Sequence, residues 1–257
     1  MSRPSDDLGS CAVRTTVVVP TYNEIDNIER LCREVLTAAP DVQILVVDDG
    51  SPDGTAEKAE ALGHELGHIT VLRRTEKNGL GRAYRAGLRR AIDDGAEICV
   101  QMDADLSHDP AVLPALIANV EHGADLAIGS RYVPGGRTVN WPTRRRQLSR
   151  WGNRYAAGVL GLAINDATAG YRAYSSTALE RMQFESVKAE GYGFQVEMTY
   201  RLLRVDGKIV EFPITFHDRI DGVSKMSGGI IKEALFLVIK LWVSDFKGRH
   251  RRRSEGA

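Results

Sequence analysis

Residues Met102 to Pro110, MDADLSHDP, place three carboxylates, Asp103, Asp105 and Asp109, within seven positions just after the apolar run EICVQ. Like charges this close repel unless something positive lies among them. In an extended chain, residues i and i+2 point the same way, so Asp103 and Asp105 would converge. A turn does not need that convergence. A hard divalent cation does, because Mg²⁺ or Mn²⁺ takes a few carboxylates and completes its shell with substrate phosphate oxygens. The pair therefore reads as a metal site, with Asp103 and Asp105 as ligands of Mg²⁺ or Mn²⁺ and a diphosphate as the group held. Two other stretches carry similar polar groups, PTYNE (Pro20 to Glu24) and DDGSPDGT (Asp48 to Thr55). Within the second, Asp53-Gly54 reads as a turn and Thr55 as a helix cap.

These stretches need elements to bring them together. TTVVVP (15–20), VQILVVDD (42–49), ITVLRR (69–74), EICVQMD (97–103) and DLAIGS (125–130) are short, β-branched or apolar runs and read as strands. Between them, Ile28, Leu31, Val35 and Leu36 keep helical spacing, and 55–67 and 79–94 are rich in Ala, Glu, Arg and Leu. Asp109-Pro110 opens a further helix, with Asp as N-cap and Pro at the first helical position. Apolar strands alternating with helices predict an α/β fold, a parallel sheet covered on both faces. Such sheets bind ligands beyond the carboxyl ends of their strands, which is where all three polar stretches fall.

The 257 residues are 43% hydrophobic and 26% charged, as in an ordinary soluble domain, and the formal net charge is zero. A chain neutral overall is not a general polyanion binder. Cys11, Cys32 and Cys99 show no metal spacing and read as thiols of a reducing compartment. Residues 1–14 are polar and read as a disordered lead-in rather than a signal peptide, and no apolar run is long enough to span a bilayer.

VVVPTYNE, VVDDGSPDGT, MDADLSH, GSRY and FQVEM, in this order, resemble the family 2 glycosyltransferases of the GT-A fold. More narrowly, they resemble the dolichol- or polyprenol-phosphate mannose synthases, over about 15–225. The resemblance implies GDP-mannose as donor, a polyprenyl phosphate as acceptor, and inverting transfer to a polyprenyl β-mannosyl phosphate. It implies that Pro20, Tyr22 and Glu24 line the nucleoside pocket and that Val47 and Asp49 hold the guanosine. Asp103, Ala104 and Asp105 would sit at the diphosphate and metal, and Arg131 would face the sugar or phosphates. Where some relatives carry a Gln ligand, this chain has Ser107, so the resemblance implies water in place of the third protein ligand. The pattern also places Arg145 and Ser149 on the acceptor phosphate, and Arg219 and Lys225 on the donor diphosphate as a lid.

The residues themselves supply an acceptor side. From Arg131 to Arg154 there are seven arginines and no acid, a local field of one sign. Few aromatics accompany them, and no nucleic-acid fold fits a parallel sheet with this rim, so a phosphate-bearing lipid at an anionic membrane explains the field better than nucleic acid does. In 226–246 the charged residues cluster within about a third of the helical circumference, leaving a wide apolar face followed by the basic tail 247–257. This amphipathic helix reads as facing a membrane or a separate membrane-anchoring subunit, with the protein peripheral on the cytoplasmic face. A buried, hydrogen-bonded role for Glu197 and Gln195 outweighs a catalytic one. Rival readings are a glucosyltransferase using UDP-glucose, a non-catalytic nucleotide-sugar-binding scaffold, an aspartyl-phosphate hydrolase and a dehydrogenase; the last two lack their partner motifs.

Overall fold

The computed structural model describes residues 13–218 and 237–243. The expectations for the lead-in up to residue 12, for Arg219 and Lys225, for most of the 226–246 helix and for the basic tail lie outside the described residues.

The predicted strands form where β-branched runs can bury both faces. They are β1 (Thr15–Thr21), β2 (Gln43–Asp48), β3 (Ile69–Arg73), β4 (Ile98–Gln101) and β5 (Leu126–Ser130). Helices α1 (Ile25–Ala38), α2 (Thr55–Leu66), α3 (Leu80–Asp93) and α4 (Leu113–Glu121) alternate with them. Period-two alternation is explicit in β1. Val17 and Val19 enter the core under α1, α2 and α4, while Val18 enters the core under α3. On α1, the buried positions Ile28, Leu31, Cys32 and Val35 keep one helical face. Cys32 and Cys99 are buried and unpaired. Asp109 Oδ1 accepts from Ala111 N at 2.9 Å, so the capping expectation holds, although one 3-10 turn (Pro110–Val112) precedes α4.

The second half contains β6 (Arg137–Val139), α5 (Thr143–Leu160), β7 (Arg172–Ser175), α6 (Ser176–Arg181), α7 (Gly191–Arg204), β8 (Ile209–Pro213) and β9 (Thr215–His217). Seven strands make one sheet in the order β3-β2-β1-β4-β7-β5-β8, and β6 pairs with β9 in a small second sheet. The sheet is mostly parallel, but β7 runs antiparallel between β4 and β5. This agrees with the mostly parallel, Rossmann-like sheet expected of the GT-A fold, and β7 is the strand that the apolar runs did not reveal. The strand is only four residues long and carries Arg172 at the sheet centre, and a charge there hides a strand from any reading of apolar runs. Strand order reverses between β1 and β4, so their carboxyl ends flank the crevice where such sheets bind ligands.

On α3, Gly87 lies against the sheet. A Cβ there would run into Val18 Cγ1 and come within 2.7 Å of Val47 Cγ2. Gly to Ala inside a helix ordinarily stabilises by about 0.5–1 kcal/mol. Here overpacking should reverse the sign, so Gly87→Ala should lose about 1–3 kcal/mol in urea unfolding. A variant as stable as the parent would show that the α3–sheet contact yields easily.

Candidate functional site

β4 ends at Gln101, and Leu106 takes a left-handed φ of 59°. Asp103 and Asp105 therefore sit in a bent loop, not in the extended strand from which their convergence was inferred. Different contacts orient them. The Tyr84 hydroxyl donates to Asp103 Oδ1 at 2.8 Å, and Asp105 Oδ1 accepts from Ser107 N at 3.1 Å. Burial first, and the nearby charges of Asp103 and then Asp105, push the Tyr84 phenol well above its usual range. The phenol therefore keeps its proton and faces Asp103 as a donor. Ala104 is buried. Ser107 is buried too, and its Oγ has no hydrogen-bond partner among the described residues. His108 Nδ1 accepts from Asp103 N at 3.2 Å, and its ring stacks on Tyr171 at 4.9 Å.

The residues fit a divalent cation that is shared with a ligand. A Cβ on Gly170 would stand 3.5 Å from Asp103 Oδ2 and 3.4 Å from His108 Cε1, so glycine keeps the space beside Oδ2 clear. Among the described residues no cluster of three or more His, Cys, Asp or Glu forms a complete cage. Two carboxylates with hard oxygen donors suit Mg²⁺ or Mn²⁺, which fill the rest of their shell with phosphate and water.

Beside this loop, the two aspartates of VVDDG part company. Asp48 is buried and organises the turn, accepting from Thr21 Oγ1, Gly50 N and Ser51 N at 2.8–3.1 Å. Asp49 pairs with Arg74 at 2.7 Å. Burial raises its carboxyl above the usual range, against the pull of Arg74. Asp53, expected as a turn residue, does more. It accepts from Thr55 N and Oγ1 and from Ile25 N, joining the starts of α1 and α2. Thr55 is the first helical residue, and its Oγ1 accepts from Glu24 N at 3.0 Å, so it braces PTYNE instead of capping α2. Lys77 Nζ lies 3.5 Å over the Tyr22 ring, Glu24 Oε2 accepts from Asn27, and Pro20 is half-buried. Val47, expected at the guanosine, is fully buried and turned toward α3, so its side chain serves the sheet core.

The basic stretch meets the Asp103–Asp105 loop through β9. Phe216 packs edge-on to His108 at 5.6 Å and to Trp141 at 5.4 Å, and His217 N donates to Ser107 O. Arg145 lies 4.2 Å over the Trp141 ring, and its Nη1 pairs with Asp218 at 2.8 Å. One turn along α5, Ser149 Oγ accepts from the Tyr132 hydroxyl at 2.7 Å. Arg145 and Ser149 thus share a helix face.

Arg131 lies at the junction but is held from behind. It is buried and donates to both Asp166 oxygens, from Nε at 2.7 Å and from Nη2 at 2.6 Å. Nη2 also reaches Thr168 Oγ1 at 2.8 Å. Burial opposes ionisation of Asp166, but the Arg131 charge and hydrogen bonds outweigh it and hold the carboxyl below its usual range. Asp166, Tyr84 and the buried Arg172 were missed in the sequence. No spacing connects positions 131 and 166, and a lone Tyr on a helix reads as core. Glu197 is buried, pairs with Arg201 at 2.7 Å and accepts from Ala189 N, and the Gln195 carbonyl accepts from Arg172.

Comparison with known proteins adds an independent line. The model of glycosyl transferase family 2 matches residues 16–183. A polyprenol monophosphomannose synthase of Mycolicibacterium smegmatis is 50% identical over 226 residues, 88% of this chain and 85% of the relative. An undecaprenyl-phosphate mannosyltransferase of Micrococcus luteus is 47% identical over 228 residues, 89% and 93% of the two chains. In fold, the chain is similar to glucosyl-3-phosphoglycerate synthase from Mycobacterium tuberculosis, crystallised with Mn²⁺, UDP-glucose and phosphoglyceric acid. The TM-score is 0.66 at 19% identity, over 94% of this chain and 85% of that one.

Asp166→Asn would leave the Arg131 charge buried beside a neutral amide. The expected loss is about 3–5 kcal/mol of unfolding free energy, measured by denaturant titration. Because the Asp166 carboxyl is depressed in the folded state, its contribution is present above the unfolded carboxylate range and fades as pH falls through the lower, folded value. Stability unchanged by the substitution would show that Arg131 reaches solvent or another partner.

Proposed function

The chain belongs to glycosyl transferase family 2, and from that membership we propose that it transfers mannose from GDP-mannose to a polyprenyl phosphate. The product is a polyprenyl β-mannosyl phosphate, formed with inversion. The mannosyl group and the polyprenyl phosphate acceptor are supported by the names of relatives about half identical over most of the chain. The observation that carries the reading is the contact through Phe216 and His217 between the Asp103–Asp105 loop and the arginine-bearing helix α5. It supports a reading in which the aspartate loop takes the donor diphosphate and α5 the acceptor phosphate, side by side.

In this reading Asp103 and Asp105 hold Mg²⁺ or Mn²⁺, which would offset the charge that builds on the departing GDP. Asp49 with its partner Arg74 meets the guanine, while Pro20, Tyr22 and Glu24 line the nucleoside pocket. Arg145 and Ser149 place the acceptor phosphate, and Arg131, fixed by Asp166, lends positive potential between the two sites. A phosphate monoester is already largely ionised at neutral pH, its second pKa being about 6, so it attacks the sugar carbon without a general base. What the chain must supply is alignment.

The lipid tail stays in the bilayer, so the crevice has to work at a membrane surface, taken here to be the cytoplasmic face. Among the described residues no helix is long and apolar enough to cross a membrane. An exposed aromatic patch suits an interface instead. Trp151, stacked on Tyr155 of α5, is 52% exposed, and Trp242 in the helical segment 237–243 is 50% exposed. α5 and that segment share a small core through Ala156 and Val238, and Ile239 and Val243 extend the exposed apolar surface. Exposed Arg144, Arg150 and Arg154 add the charge that anionic headgroups attract.

Two experiments test the reading. Purified protein should move label from GDP-mannose, and not from UDP-glucose, into an organic-soluble product with a short polyprenyl phosphate. Asp105→Ala or excess chelator should lower that rate at least about a hundred-fold. Equal transfer from UDP-glucose would replace the donor, and full activity in chelator would remove the metal. Separately, Trp151→Ala combined with Trp242→Ala should weaken sedimentation with anionic vesicles by roughly ten-fold, at about 1 kcal/mol or less per half-exposed ring. Unchanged sedimentation would assign attachment to other residues or to a membrane-anchoring subunit.

A further inference from the structure

Tyr84 has no place in the chemistry above, yet it is fully buried in α3 and its hydroxyl reaches Asp103. We propose that Tyr84 is a positioning residue for the cation site, and that the GYGFQVEM segment supports it. The inference rests on the reading of Asp103 and Asp105 as metal ligands and deepens it.

Asp103 stands in a loop of bends where its carboxylate could rotate. The Tyr84 hydroxyl engages Oδ1 at 2.8 Å, and Oδ2 remains on the side kept open by Gly170, next to a small cavity lined by His108, Gly129, Arg131 and Gly170. The phenol thus divides the carboxylate, with one oxygen held by protein and the other left toward the crevice. Losing an outer partner that fixes a ligand in this way commonly costs about 10–100-fold in metal affinity.

The phenol is itself held. Its ring lies parallel to Phe194 of α7, with centroids 6.1 Å apart and planes 5° apart. A Cβ on Gly81 would come 3.0 Å from Phe194 Cδ2 and 2.9 Å from the Ala189 carbonyl, so glycine lets α3 approach this ring. Glu197, three residues after Phe194, accepts from Ala189 N and fastens the segment that leads into α7. The motif residues Phe194 and Glu197 therefore act at a distance: α7 fixes the Tyr84 ring, and Tyr84 fixes Asp103.

The test is Mn²⁺ binding, read from the electron paramagnetic resonance signal of free Mn²⁺ in the presence of saturating GDP, with no sugar transfer involved. Tyr84→Phe keeps the ring and removes only the hydroxyl, and it should weaken Mn²⁺ binding by about ten-fold or more. Phe194→Leu keeps the hydroxyl but loosens the ring, and should give a smaller loss in the same direction, which also covers the case in which Tyr84→Phe folds poorly. Tyr174→Phe is the control, a buried hydroxyl in the same core that accepts from Arg172 and does not touch the loop; it should leave Mn²⁺ affinity near that of the parent. Asp105→Ala should abolish binding. Retained binding in Asp105→Ala would overturn the metal reading and this inference with it. Loss in Asp105→Ala with parental affinity in folded Tyr84→Phe would overturn the role of Tyr84 alone, as would equal weakening by Tyr174→Phe.

Discussion

Two arginines removed from water organise the second half of this molecule. A buried guanidinium must find oxygens for its N–H groups or the fold loses several kcal/mol. Arg131 at the end of β5 takes Asp166 and Thr168, and Arg172 in β7 takes the carbonyls of Ala169 and Ala167 at 2.6 Å each. The segment 165–170 thus solvates both charges with alternate residues, 166 and 168 for Arg131 and 167 and 169 for Arg172. Its other contacts fasten neighbouring elements. Glu211 of β8 accepts from Asn165 and Asp166, and Asn153 of α5 both donates to and accepts from Thr168. The last residue of the segment is Gly170, beside Asp103. Satisfying two charges therefore sets where α5 lies and how much room the Asp103–Asp105 loop has.

The same economy governs the acids at the rim. Asp48, Asp49, Asp103 and Asp105 crowd into two loops, but each is engaged differently. Asp48 is held by its own turn, and Asp49 pairs with Arg74. In the 103–105 pair, Asp103 Oδ2 faces the space beside Gly170. On the far side of the crevice the arginines are tempered too, Arg145 by Asp218 and Arg131 by Asp166. A neutral chain can in this way present an acidic and a basic wall to one cleft. Each wall is structured before any substrate phosphate arrives, so little reorganisation remains to be done on binding.

Most of the sheet was legible because β-branched runs bounded by polar turns have few other folds open to them. β1 to β5 fall within a residue or two of where the pattern puts them. β7 escaped because its four residues carry an arginine whose partners lie on α7 and in the 165–170 segment, and no local pattern encodes those. The aspartate pair was located by composition but for an incomplete reason. The strand stops before it, and its orientation comes from a tyrosine nineteen residues earlier. At Val47, expected at the guanosine, period-two alternation turns the side chain into the core, so any ligand contact there falls to the backbone. Local rules thus found elements and loops, while the hydrogen bonds that aim side chains join residues tens of positions apart.

That division follows from the chemistry the crevice is suited to. An ionised phosphate nucleophile and a diphosphate leaving group need no proton moved in the rate-limiting step, so no base-acid pair has to be conspicuous in the sequence. The demand falls on alignment, where a misplacement of about 1 Å can cost a hundred-fold in rate. On the proposed reading, alignment falls to residues that brace others from behind: Asp166 behind Arg131, Asn153 behind α5, and Phe194 behind Tyr84. The fold shared with a synthase at 19% identity reflects the sheet common to both. In this chain buried hydrogen bonding joins the second half to that sheet, and on the proposed reading it is there that an acceptor as long as a polyprenyl phosphate would have to be held in line with the sugar.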